Sequence, residues 1–170
     1  MNKILFVPNP ILRKKSTIVK KITSKEIDIA KRMTDIMLKA PGVGLAANQI
    51  GILMQIITLN IPGENESKDN VYSLFNPKII SFSKKKIFME EGCLSLPKQY
   101  AEIERPEKIE IEYYNNKNEK IVQKKKGFEA RVLQHEIDHL HGILFVDYLS
   151  SLKRNIIVKK VKKLEKLGEI

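Results

Sequence analysis

Apolar residues recur at helical spacing early in the chain. Ile27, Ala30, Met33, Ile36 and Met37 fall on one face of a helix. "TSKE" opens it as a capping box, in which the Thr23 hydroxyl and the Glu26 carboxylate satisfy free amide donors reciprocally. Pro41-Gly42 ends the run. From Gln55 to Lys125 the texture becomes strand-like. "QIITLNI", "VYSLF", "KIISFS", "KIFME", "KIEIEYY" and "KIVQKK" are short, β-branched or aromatic, and separated by turn formers. Asn115 to Asn118 reads as a hairpin loop, and the polar stretch Pro62 to Asn70 as a longer one. A second helix is expected from about Phe128 through His141, with Ala130, Leu133, Ile137 and Leu140 on its buried side. A third begins near Ser151. Strands grouped between helices predict an α+β fold with a mainly antiparallel sheet. No repeat or linker divides the chain, so residues 1–170 are expected to form one domain.

Charge and cysteine usage narrow the setting. The chain has 170 residues and a formal net charge of +11, which predicts attraction to something anionic: nucleic acid, the ribosome surface or acidic headgroups. Much of the excess is Lys scattered through an Ile- and Asn-rich sequence, and compositional drift explains that equally well. Cys93 is the lone cysteine, so no internal disulfide can form and a reducing, cytoplasmic location is expected. Pro8 and Pro10 interrupt the apolar start, and no stretch approaches the ~20 apolar residues of a membrane span.

The candidate chemistry lies in "LQHEIDHLHG". On a helix His135 and His139 share one face, and Glu136 leans towards a water on an ion bound there. An isolated HExxH also occurs by chance, as a solvent-facing polar stripe. Phe145 stands where a metzincin places its third histidine, and His141 points away from the pair. Glu165 and Glu169 lie in a Lys-rich terminal segment poorly suited to a dry site. Cys93, in "EEGCLSLP", remains. Two imidazoles and a thiolate with an open fourth position make a catalytic ligand set. A lone cysteine is more often a small buried hydrophobe, but Gly92 and the strand-like run before it allow a rigid, closely approached thiolate. The glycine-rich "GVGLAANQIG" is no nucleotide fingerprint. Its small residues suggest a backbone approached closely by something, with Gln49 as an amide donor.

"GVGLAANQ", "EGCLS" and "QHEIDH", in this order, resemble the three motifs of the peptide deformylase family. "PNPILR" and "GFEARVLQHE" also look like it, so the likeness spans nearly the whole chain. The resemblance implies that antiparallel strands surround a central HExxH helix, flanked by an N-terminal and a C-terminal helix. It makes Cys93 the third metal ligand beside His135 and His139. The implied reaction is hydrolysis of the formyl group from formyl-methionyl nascent chains, with metal-bound water as nucleophile and Glu136 as general base and acid. The oxyanion would be held by the metal, the Gln49 amide and the backbone N–H of Leu94. Val43, Phe128 and Val132 would line the methionine slot with the Arg131 stem on one side, although core packing is nearly as good a reading for Phe128 and Val132. The peptide would add as a strand along Gly42, Val43 and Gly44. Iron(II) is the first metal expected, zinc(II) the next, with nickel(II) and cobalt(II) also candidates. Some relatives carry Glu and Arg where this chain has Pro41 and Tyr100, so contacts at the pocket rim are expected to differ.

In the terminal segment Ile157, Val161 and Leu164 form an apolar stripe opposite Lys159, Lys162, Lys163 and Lys166. The basic face is either solvated or, as in some relatives of the family, a ribosome contact. Neither membrane binding nor specific DNA binding is expected. Two rival readings are an internal zinc peptidase, which would not need Cys93, and a non-catalytic ribosome- or RNA-binding module, suggested by charge alone.

Overall fold

The computed structural model describes residues 3–62 and 69–170. Helix α1 (Ser24–Lys39) starts where the capping box places it: the Glu26 carboxylate accepts from the Thr23 N–H at 2.9 Å, and the Thr23 hydroxyl from the Lys25 N–H at 3.3 Å. Its buried stripe is Ile29, Ala30, Met33 and Met37, while Ile27 and Ile36 sit at its half-buried margins.

Strands β1 (Gly44–Ala46), β2 (Ile56–Pro62), β3 (Asp69–Phe82), β6 (Lys108–Tyr114) and β7 (Lys120–Lys126) form an antiparallel sheet in the order β1-β2-β3-β6-β7. Strands β4 (Lys86–Cys93) and β5 (Leu96–Pro106) pair as a separate two-stranded sheet. Three features differ from the sequence expectation. "VYSLF" and "KIISFS" are one strand, because Asn76 takes a left-handed φ of 52° and lets the ladder continue through a bulge. Its side chain also clasps the Val19 backbone in both directions, at 2.8 and 2.9 Å. Strand β5 was not expected, since Arg105 on its inner face and Pro97 near its start obscure the alternation. Strand β1 is too short to carry a period. The expected loop from Pro62 to Asn70 lies mostly on residues 63–68, outside the described residues; Pro62 ends β2, and Asp69 and Asn70 begin β3.

Helix α2 (Gly127–Leu140) crosses the inner face of the larger sheet. Ala130, Leu133, Ile137 and Leu140 pack on Ile57, Leu59, Leu74 and Ile111. Burial of each such Leu or Ile is worth about 1.5–3 kcal/mol. The opposite side of α2 is equally buried but polar, carrying Arg131, His135, Glu136 and His139. Helix α3 (Ser151–Lys166) docks through Val161 and the half-buried Ile157 against β5 and the segment after α2. This agrees with the expected apolar stripe.

Helix α2 ends in a Schellman motif: Gly142 N–H donates to the His139 carbonyl at 3.0 Å and Ile143 N–H to the Asp138 carbonyl at 3.0 Å. Gly142 has φ of +75°, and a Cβ there would lie 2.7 Å from the Arg13 carbonyl carbon. Gly142→Ala is therefore expected to lower stability by about 2 kcal/mol, since both the left-handed backbone and the close approach oppose a methyl. Urea unfolding with an unchanged m-value measures this, and a loss within error of zero would contradict it.

Candidate metal centre

Three donors from two distant parts of the chain meet beneath a cavity. His135 and His139 are one helical turn apart on α2, with ring centroids 4.9 Å apart. Cys93 closes β4, and its Sγ lies 3.2 Å from His139 Nε2. The ligand atoms of Cys93, His135 and His139 all lie within 4.8 Å of one another, so one ion could be held by the three. The half-buried thiol and two buried imidazoles form the S/N/N set of an open, three-ligand site. Phe145, in the position where a metzincin has histidine, is buried and stacks on the His135 ring at 6.1 Å.

Glu91, two residues before Cys93 on β4, orients the first histidine. Its Oε2 accepts from His135 Nδ1 at 2.8 Å, which leaves His135 Nε2 for an ion. Both oxygens of Glu91 also accept from Arg105, at 2.6 and 3.0 Å, and Oε1 accepts from Arg131 at 2.9 Å. Arg105 reaches on to Asp138 at 2.6 Å and stacks its guanidinium 4.6 Å from the Tyr148 ring centroid. Two carboxylates thus balance two guanidiniums. Burial pushes the Glu91 carboxyl upwards, but the hydrogen bonds from His135 and Arg105 outweigh it and hold the pKa at about 2.

The catalytic candidates share the cavity, which has a volume of about 410 Å³. Glu136 borders it, and its Oε2 is buried without a hydrogen-bond partner. Burial raises the Glu136 carboxyl to about 7. The group fits against Gly44 because that residue has no side chain: a Cβ there would lie 2.8 Å from the carboxyl carbon. The Gln49 side chain is pinned by the Ala46 N–H, which donates to its Oε1 at 2.8 Å. Its Nε2 then points at Ser95 Oγ (3.1 Å) and Cys93 Sγ (3.6 Å). Leu94 lies in the β4–β5 turn beside it, and Gly42, Val43 and Gly44 line one wall.

Part of the expected methionine slot is not assembled as anticipated. Phe128, Arg131 and Val132 do not line this cavity. Val132 packs into the core between α2 and the larger sheet, and Phe128 stays nearly half exposed on the first turn of α2. Arg131 is 4% exposed and donates to the Ile103 carbonyl (2.8 Å), the Ile87 carbonyl (2.7 Å) and Glu91. Its guanidinium therefore ties α2 to the β4–β5 hairpin. Glu91, Arg105 and Ser95 escaped the sequence reading. For Glu91 a signal existed: period two along a strand puts residues 91 and 93 on one face, whereas Glu90 faces solvent.

Glu91→Gln keeps the shape but leaves two buried cations facing one carboxylate. Co(II) affinity, titrated through the thiolate charge-transfer band, is expected to fall about 10–100-fold. Wild-type affinity in a folded variant would show that Glu91 does not support the ligand.

With this geometry in place, comparison with known proteins is decisive. A family model described as polypeptide deformylase matches residues 1–155. The peptide deformylase of Rhizobium meliloti is 40% identical over 163 residues, covering 96% of this chain and 93% of that protein. That of Pelagibacter ubique is 43% identical over 162 residues, covering 95% and 94%. Among solved structures, a peptide deformylase from Ehrlichia chaffeensis superposes with a TM-score of 0.93 at 36% identity, covering 99% of this chain and 98% of that one. The chain belongs to the peptide deformylase family.

Proposed function

We propose that Cys93, His135 and His139 hold the divalent ion of an enzyme that hydrolyses the formyl group from the N-terminus of nascent peptides, releasing formate and a free amine. Metal-dependent deformylation is the activity of the family. The observation that carries the residue assignment is the meeting of the three donor atoms, within 4.8 Å, beneath a cavity bordered by Glu136 and Gln49. When bound, the ion supplies a Lewis acid that acidifies a water and polarises the formyl carbonyl. Glu136, with one unpartnered oxygen and a pKa near the working range, takes the proton from the attacking water. It then returns that proton to the departing amine nitrogen. Gln49 Nε2 and the Leu94 N–H donate to the oxygen that gains charge, each worth about 3–4 kcal/mol of barrier.

The substrate peptide is assigned to the free side of β1, which pairs with β2 alone. Gly42, Val43 and Gly44 offer it backbone groups with little steric hindrance. Such recognition reads little of the sequence beyond the first residue, which suits an enzyme acting on many chains. Val43, Leu94 and Leu96 are the apolar side chains assigned to methionine in this cavity. Iron(II) is the proposed metal, with zinc(II) next and nickel(II) or cobalt(II) able to substitute, because the mixed S/N/N donors suit all four. We assign residues 1–170 to one catalytic domain and place it in the cytoplasm, where a thiolate ligand stays reduced. No helix among the described residues is long and apolar enough to cross a membrane.

Formate release from a formyl-Met-Ala-Ser peptide by anaerobically purified, metal-assayed protein tests the reaction. Wild type is expected to turn over rapidly and Glu136→Ala to lose at least about 100-fold in kcat. No release from protein fully loaded with iron, nickel or zinc in turn would refute the assignment.

The basic face of α3 is proposed to meet the ribosome. Most of this helix lies beyond the residues matched by the family model, and Lys159, Lys162, Lys163 and Lys166 are exposed on it. Replacing all four by Ser should weaken co-sedimentation with ribosomes and flatten its salt dependence. Unchanged binding would refute this contact.

A further inference from the structure

The cavity above the metal centre opens at a lip that includes Pro41 and Val43, ahead of β1, and Tyr100 on β5. Tyr100 stands directly opposite Gly92 in the β4–β5 ladder. A Cβ at position 92 would lie 2.6 Å from Tyr100 Cε1, so the ring covers the bare backbone of that glycine. The residue nevertheless remains 63% exposed, and its hydroxyl has no hydrogen-bond partner among the described residues. Lys98, the charged neighbour on the same rim, is engaged with Glu169 at 3.5 Å. Tyr100 thus presents an aromatic surface that is supported from behind and has nothing against its front.

Its distance from the chemistry suits contact with the leaving peptide. Gly92 immediately precedes Cys93, neighbouring strands are about 4.8 Å apart, and residues along a strand about 3.3 Å. The Tyr100 backbone is therefore about 6 Å from that of Cys93, a span that two residues of extended chain cover. Val43 and Pro41 supply apolar surface on the same lip, so a chain passing out of the cavity meets apolar groups on leaving it.

We propose that Tyr100 is a specificity-determining residue. It receives an aromatic or large aliphatic side chain at the second or third position of the formylated peptide, on the face of its ring away from Gly92. The inference rests on the deformylase reading above. It adds a side-chain preference to a site whose backbone contacts alone would leave those positions unselective.

The test compares formyl-Met tripeptides carrying Phe, Leu, Ser or Glu at the second or the third position, using metal-loaded wild type, Tyr100→Phe and Tyr100→Ala. The readout is the ratio of kcat/KM between peptides within each protein, which cancels any general loss of activity. Wild type should favour Phe and Leu over Ser by about tenfold at one of the two positions, mainly through KM. Tyr100→Phe should keep that ratio, and Tyr100→Ala should reduce it to about twofold or less. A wild type indifferent to both positions, or a preference that survives in Tyr100→Ala, overturns the inference while leaving deformylation intact. Absence of formate from every peptide with wild type would overturn the deformylase reading and this inference together.

Discussion

Glu91 is a nearly water-free carboxylate whose two oxygens serve His135, Arg105 and Arg131. A buried anion of this kind is tolerable only if it is fully paired, and here the pairing also does geometric work. Strand β4 brings Cys93 and Glu91 on one side, and helix α2 brings His135 and Arg131 on the other. The carboxylate joins them, so a single interaction sets the distance between the thiol and the imidazoles. Asp138 closes the charge balance by taking the remaining arm of Arg105. Removing any one charge would strand its partners in a low-dielectric interior, which makes the network cooperative.

The same helix serves two incompatible environments. One side of α2 is packed into the sheet by Leu133, Ile137 and Leu140, and the other carries the centre. Rigid packing on the first side is what holds the second in register. The ring of Phe145 adds an apolar stop behind His135, and Asn48 donates to the His139 carbonyl at 2.5 Å from the segment after β1. The site is thereby fixed from α2, β4 and the glycine-rich segment together. Glycine at position 44 is a steric requirement of the Glu136 carboxylate, and glycine at 92 of the Tyr100 ring.

Charge is distributed differently from chemistry. The excess lysines lie on solvent-facing positions such as Lys120, Lys124 and Lys126 of β7 and the outer side of α3. On β7, which has a strand on one side only, they also discourage pairing with other chains. The deep site is close to neutral by comparison, so the net charge of +11 bears on long-range attraction and not on the hydrolytic step.

Local patterns carried the sequence reading far. The capping box at Thr23, the periodicity of α1 and α2 and the alternation in "KIEIEYY" each depend on residues close in the chain, and each appears where expected. So does the chelating geometry of His135 and His139, because helical repeat alone puts them side by side. The donor set and the expected α+β class were therefore legible from residue types and spacing, together with the family resemblance. Strand β5 was not, because its inner face includes an arginine whose burial makes sense only beside Glu91. Nor was the direction of Arg131, which looked available to a slot and is committed to two carbonyls and a carboxylate. Those outcomes depend on partners tens of residues away: Glu91 is 40 positions from Arg131 and 44 from His135. Sequence by itself determined which groups could perform the chemistry. Only the tertiary structure decided which charges would be buried together, because that choice depends on which surfaces lose their water.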